Sequence, residues 1–195
     1  MVTADPLRIV YFGTPEFAVP TLRALLASRH PLVAVVSQPD RPKGRGHHLQ
    51  PTPTKRVAEA HGVPVLQPLK LKDDAFLRAI EALQPDLGVV AAYGRILPDA
   101  LLGIPRFGLI NVHASLLPAY RGAAPVHRAV IAGERETGIS IMRIVRELDA
   151  GPVFATSRMP IDDDATSLDV ERRLADLGAP LLVDVVEHIA AGRAV

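Results

Sequence analysis

Cysteine is absent from all 195 positions, which excludes disulfide bridges, a thiolate nucleophile and cysteine-ligated zinc or iron–sulfur centres together. No stretch approaches the roughly 18 consecutive apolar residues that a membrane-spanning helix needs. The first residues run through Asp5 and Arg8 into a short apolar segment, without the long apolar core and small-residue cleavage site of a secretory leader, so the expected location is the cytoplasm. An excess of one charge is missing too, since 22 Lys and Arg stand against 21 Asp and Glu for a net charge of +1. That balance does not itself indicate a nucleic-acid binder, because phosphate contacts need clustered cations. One cluster exists: Arg41, Lys43, Arg45, Lys55 and Arg56, with His47 and His48, lie in a segment without acids from 41 to 56. On charge alone it reads as a solvated loop.

Glycine-rich nucleotide turns are also lacking. The apolar run 7–12 (LRIVYF) closes on Gly13, and Pro15 opens an amphipathic stretch over 16–28, giving strand, tight turn and helix. That turn holds one glycine where a dinucleotide fingerprint needs three, and no Walker-type loop ending in Lys-Ser/Thr occurs. Residues 32–37 form a second continuous apolar run, the pattern of a strand buried on both faces of a parallel sheet. Residues 39–53 are rich in Pro and Gly and are expected to be loop.

Beyond that loop, 54–61 reads as helix, 63–66 as a short strand and 73–83 as helix, from the spacing of Phe76, Leu77, Ile80 and Leu83. Strands are expected at 87–92 and 109–113, with a helical turn around Leu101 between them. A helix near 126–132 precedes strands at 138–144 and 151–159, whose connecting loop contains Asp149. A helix within 163–191 closes the chain, with Thr166 or Ser167 as its N-cap. The expected fold is α/β, a Rossmann-like, doubly wound, mostly parallel sheet forming one domain over 1–195, with its ligands at the carboxyl ends of the strands.

At one such end stand Asn111 and His113, spaced i and i+2 and therefore on one face of their strand. Polar groups among buried neighbours are costly unless they are paired or used. Satisfying nearby backbone groups is one reading of them, and chemistry is the other. Asp149, in Glu147-Leu-Asp-Ala-Gly151, lies in a loop where glycine permits close approach and can come beside His113. A carboxylate beside an imidazole favours the imidazolium. An imidazolium and an amide N–H aimed at one point suit an oxyanion in acyl transfer, and Asp149 can move the protons that amine attack requires. Such chemistry needs neither a metal nor a covalent intermediate.

A Ser115, His113, Asp149 hydrolase has the right residue types. However, Ser115 does not sit at a G-x-S-x-G elbow, and a base two residues along one extended segment is poorly placed to reach it. A metal site at His47, His48 and His61 is disfavoured because adjacent residues point apart and no carboxylate joins them.

Asn111-x-His113, followed by Ser115-Leu-Leu-Pro118 and by Leu148-Asp149-x-Gly151, resembles the signature of the 10-formyltetrahydrofolate-dependent formyltransferases. The resemblance implies that Asn111, His113 and Asp149 are catalytic. It places the folate co-substrate against Tyr93, Gly94, Arg95, Ile96 and Leu97, against Ser115, Leu116, Leu117 and Pro118, and against Arg146, Glu147 and Leu148. The segments 12–17, 38–46 and 120–125 resemble the branch that formylates methionyl initiator tRNA in translation initiation. The glycinamide ribonucleotide branch carries a Gly/Ser-rich phosphate turn that Gly13-Thr-Pro-Glu lacks.

In the tRNA branch the loop after the second strand enters the acceptor arm, so Arg45 matches its key arginine, with Arg41 and Lys43 as phosphate contacts. A formyltransferase acting on an amino-sugar nucleotide shares the catalytic trio and is the alternative. A tRNA-binding module with an inactive site is a third reading. Two departures are visible. Ala114 stands where the family commonly has glycine. The family also continues into a β-barrel domain that helps hold tRNA, which is expected to be absent from this chain. A monomer is expected.

Overall fold

A computed structural model describes residues 5–43 and 48–193. The apolar run near the N-terminus forms β1 (Ile9–Gly13), followed by one 3₁₀ turn at Glu16–Ala18 and by α1 (Val19–Leu26). The single helix expected over 16–28 is thus divided. Pro20 has no N–H to donate, so it fits only within the first turn of a new α-helix. Next comes β2 (Leu32–Val36).

The stretch 39–53, expected to be loop, instead contains β3 (Arg41–Lys43) and β4 (His48–Gln50), paired antiparallel with Arg41 opposite Gln50. Its proline content concealed this. Pro42 is tolerated because both strands of a two-stranded ribbon are edges, where a missing ladder donor costs little.

The chain then forms α2 (Pro53–Ala60), β5 (Val65–Leu66), α3 (Asp74–Ala82), β6 (Leu87–Ala91), α4 (Asp99–Leu102), β7 (Leu109–His113), α5 (Pro125–Ile131), β8 (Glu136–Arg143), β9 (Val153–Pro160) and α6 (Ser167–Ala190). Among the described residues the main sheet has seven strands in the order β5-β2-β1-β6-β7-β8-β9. The first five are parallel, and β8 and β9 extend the sheet antiparallel.

Helices cover both faces. Along β1, Ile9 and Tyr11 enter a core shared with α1, α2, α5 and α6, while Val10 and Phe12 enter a second core with α3 and α4. This two-sided burial is why the parallel strands read as unbroken apolar runs. The strand order reverses between β1 and β6, and the loops beyond the carboxyl ends of β1, β2, β6 and β7 surround that switch point, where doubly wound folds bind ligands.

Candidate active site

His113 ends β7, opposite Ser140 of β8. The Ser140 hydroxyl donates to the Ser115 carbonyl (2.7 Å) and accepts from the Leu117 N–H (3.1 Å), which fixes the turn that follows His113. Within this turn the Leu117–Pro118 peptide is cis. Ser115 is fully buried, and its hydroxyl donates to the Ala119 carbonyl at 2.6 Å. It is therefore committed to the turn rather than aimed at His113, which removes the serine-hydrolase reading.

The imidazole of His113 is held on both sides. Its Nε2 lies 3.1 Å from the Tyr120 carbonyl. A carbonyl can only accept, so Nε2 carries the proton. Its Nδ1 faces Asp149 Oδ2 at 3.6 Å, with the two side chains 6% and 13% exposed. The same carboxylate oxygen accepts the Gly122 N–H at 2.8 Å. Seclusion from water strengthens each of these contacts.

Asn111, half-buried one pleat earlier, makes no side-chain hydrogen bond among the described residues, so its amide is open to a ligand. Tyr120 (φ 56°), Ala124 (φ 52°) and Asp149 (φ 47°) all adopt the left-handed conformation that non-glycine residues avoid, and such outliers gather where function holds them. At Gly151 a Cβ would run into the Arg143 carbonyl, so only glycine lets the Asp149 loop close against β8 in this way.

The remaining residues expected at the site form two flanks. Tyr93 is buried, edge-on to Phe12 with ring centroids 5.7 Å apart. Its hydroxyl is sealed in the core without a hydrogen-bond partner among the described residues, and burial raises its pKa. Its side chain therefore backs the wall rather than meeting a ligand. Arg95 donates to the carbonyls of Pro68 (3.1 Å) and Leu69 (3.0 Å), so its guanidinium is committed to the chain after β5. Leu97 packs into the second core, whereas Ile96 is 85% exposed.

On the other flank Leu148 is 64% exposed, Arg146 and Glu147 are exposed, and Arg146 approaches Asp99 at 3.6 Å. That contact brings the two flanks together. Below them Leu116 and Leu117 are half-buried and Pro118 is exposed. Sequence reasoning passed over Ser140, Tyr120 and Gly122. Two of the three act through main-chain groups, which carry no residue signature, and the third is one of several inward residues of β8.

Of the basic residues, Arg41 is exposed on β3 and donates to Gln38 Oε1 at 3.0 Å. Lys43 ends the same strand. Arg45 and His47 lie outside the described residues. Lys55 pairs with Asp40 (2.6 Å) and Arg56 with Glu16 (3.0 Å), and the Asp40 bond raises the Lys55 pKa. Acids outside the 41–56 segment thus neutralise two of its cations. His61 Nδ1 is bonded to the Val57 carbonyl at 2.8 Å, and no group of three or more potential metal ligands occurs among the described residues.

A buried imidazole–carboxylate pair beside an open amide, at the carboxyl end of a parallel strand, has the donors and acceptors that acyl-type group transfer uses. Residues 7–186 match the formyl transferase family, and the chain belongs to it. Among curated relatives, a methionyl-tRNA formyltransferase of Methylococcus capsulatus is 54% identical over 187 residues, covering 96% of this chain and 61% of that protein. One from Moorella thermoacetica is 52% identical, covering 96% and 60%. The chain therefore spans about 60% of the length of these relatives. Among solved structures, glycinamide ribonucleotide transformylase 1 from Symbiobacterium toebii superposes with a TM-score of 0.81, covering 97% of this chain and 90% of that chain, at 21% identity. At that identity the likeness is one of fold.

Proposed function

We propose that this chain transfers the formyl group of 10-formyltetrahydrofolate to the α-amino group of methionyl initiator tRNA, acting in the cytoplasm as a monomer. The observation that carries this reading is the secluded His113–Asp149 pair beside the open amide of Asn111, in a chain about half identical to relatives named for that reaction.

The amine nitrogen attacks the formyl carbon, and the carbonyl electrons move onto oxygen. The Asn111 amide N–H and a protonated His113 Nδ1 stabilise that oxyanion. With Nε2 tied to the Tyr120 carbonyl, Nδ1 is the nitrogen left for chemistry. Asp149, directly or through a water, takes the proton the amine sheds and returns one to the departing folate nitrogen as the carbon–nitrogen bond breaks. The exposed apolar side chains of Ile96 and Leu148 offer flanks for a flat pterin, with polar contacts supplied by the backbone of 94–97 and 146–148. Arg41, Lys43 and Arg45 supply cations for the acceptor's phosphates.

The test is tetrahydrofolate release from 10-formyltetrahydrofolate with methionyl initiator tRNA, glycinamide ribonucleotide and a 4-amino-sugar nucleotide in parallel. Release with the tRNA alone supports the reading, and release with the sugar alone replaces the acceptor. An absence of both turnover and folate binding removes the mechanism.

A further inference from the structure

Gln38, the second residue after β2, is bonded at every polar atom. Its N–H donates to Thr14 Oγ1 (3.3 Å) and its carbonyl accepts from Gln67 Nε2 (2.8 Å). In the side chain, Nε2 donates to the Tyr93 carbonyl (2.8 Å) and Oε1 accepts from the Arg41 guanidinium (3.0 Å). The orientation of the amide is dictated by its partners, since a carbonyl can only accept and a guanidinium can only donate.

Space has been left for this contact. Gly94 has φ 82°, and a Cβ there would sit 2.6 Å from Gln38 Nε2. Two residues further on, the Asp40 carboxylate is held as well, accepting from Gln67 Nε2 (2.7 Å) and from Lys55 Nζ (2.6 Å). One half-buried side chain therefore spans from the hairpin that presents Arg41 to the turn that begins the donor wall at Tyr93 and Gly94.

We propose that Gln38 is a positioning residue that couples the two substrates, so that an occupied donor wall and an occupied hairpin each strengthen binding at the other. This rests on the reading of both surfaces given above. A folate seated against residues 94–97 fixes the Tyr93 carbonyl and hence the Gln38 amide. The amide then holds one edge of the Arg41 guanidinium and leaves its other donors set for a phosphate. A ligand at either end then favours the arrangement that the other requires, which is positive cooperativity, and it is reciprocal.

The experiment measures the dissociation constant of 5-formyltetrahydrofolate, a non-reacting probe, without and with a saturating, uncharged RNA hairpin bearing the initiator acceptor stem. For the unmodified chain the RNA is expected to tighten folate binding by about 5-fold or more, the lower end of typical coupling between sites. In Gln38→Ala the two constants converge. In Gln38→Glu the carboxylate still accepts from Arg41 but has no donor for Tyr93, so RNA binding is retained while the tightening is lost. Equal constants in the unmodified chain, or tightening that survives in both variants, would overturn the proposal. So would a parallel loss of thermal stability and of both affinities at an unchanged ratio, which is the mark of a merely structural residue. Failure of the unmodified chain to bind the folate or the RNA on its own would remove the underlying reading, and the coupling with it.

Discussion

His113 is fixed by a main-chain carbonyl on one side and a carboxylate on the other, and the two contacts predict different losses. In Asp149→Asn the bond from Gly122 N–H can be kept by the amide oxygen, but the charge facing Nδ1 is gone. Turnover should fall by about 10²–10⁴-fold, the usual contribution of a positioned acid–base, with the folate dissociation constant little changed. On the proposed mechanism Asn111→Ala removes one oxyanion donor and should lower kcat by about 10²–10³-fold. Steady-state tetrahydrofolate release measures both, and a loss confined to KM would assign either residue to binding alone. Gly151→Ala forces a Cβ against the Arg143 carbonyl and should cost about 1–3 kcal/mol in urea unfolding, as overpacking does.

The approach of Asp149 to His113 was legible because the Asp149 loop carries Gly151 two residues on, and the shared face of Asn111 and His113 because i and i+2 alternate together along a strand. Tyr120 and Gly122 were not, since they act through a carbonyl and an N–H that every residue other than proline also possesses. Tyr93 was named through the resemblance, and the sequence did not show that its ring fills the core behind the turn and leaves its backbone toward the wall.

At the scale of elements, α6 is the longest helix among the described residues and opens on a capping box: Thr166 Oγ1 accepts the Asp169 N–H and Asp169 Oδ2 accepts the Thr166 N–H. Thr166→Ala should cost about 1 kcal/mol of unfolding free energy, and an unchanged urea midpoint would mean that the end frays without consequence. The far end of α6 is tied through His30, whose side chain is fully buried. Its Nδ1 accepts the Leu7 N–H (2.9 Å), and its Nε2 meets Glu187 at 3.1 Å.

Burial holds the His30 pKa below its ordinary 6.5 despite the attraction of Glu187. As pH falls the unfolded chain takes up this proton first, so the contribution is complete above about 6.5 and lost as pH drops through the lower folded value. Urea midpoints at about pH 7.5 and pH 5.5 should differ more in the unmodified chain than in His30→Gln, whose amide does not titrate. Helix ends of this kind could be read from capping residues. The hairpin of β3 and β4 could not, because its composition is that of a loop and its strands are defined only by their pairing.

For the whole molecule, alternating apolar runs and amphipathic helices made the doubly wound class readable. The order β5-β2-β1-β6-β7-β8-β9 depends on long-range pairing and was not readable. Charge behaves similarly. Five cations between 41 and 56 read, on charge alone, as a solvated loop, and Asp40 and Glu16 occupy two of them, Lys55 and Arg56. On the reading proposed above, Arg41, Lys43 and Arg45 meet the acceptor's phosphates. At roughly −0.9 per duplex phosphate neutralised, the slope of log affinity against log salt for RNA binding should be no steeper than about −3. Titrations from low to physiological salt check this, and a slope near −5 would mean that the two ion pairs open on binding.

Among the described residues, the ribbon of β3 and β4 shares no ladder with the main sheet. Its sequence can therefore drift, lengthen or be exchanged without altering the register of any strand that carries Asn111 or His113. On the proposed reading, a lineage or a designer seeking a new amine to formylate has an interchangeable part here, with residues 38–40 as its socket and the chemistry left in place behind it.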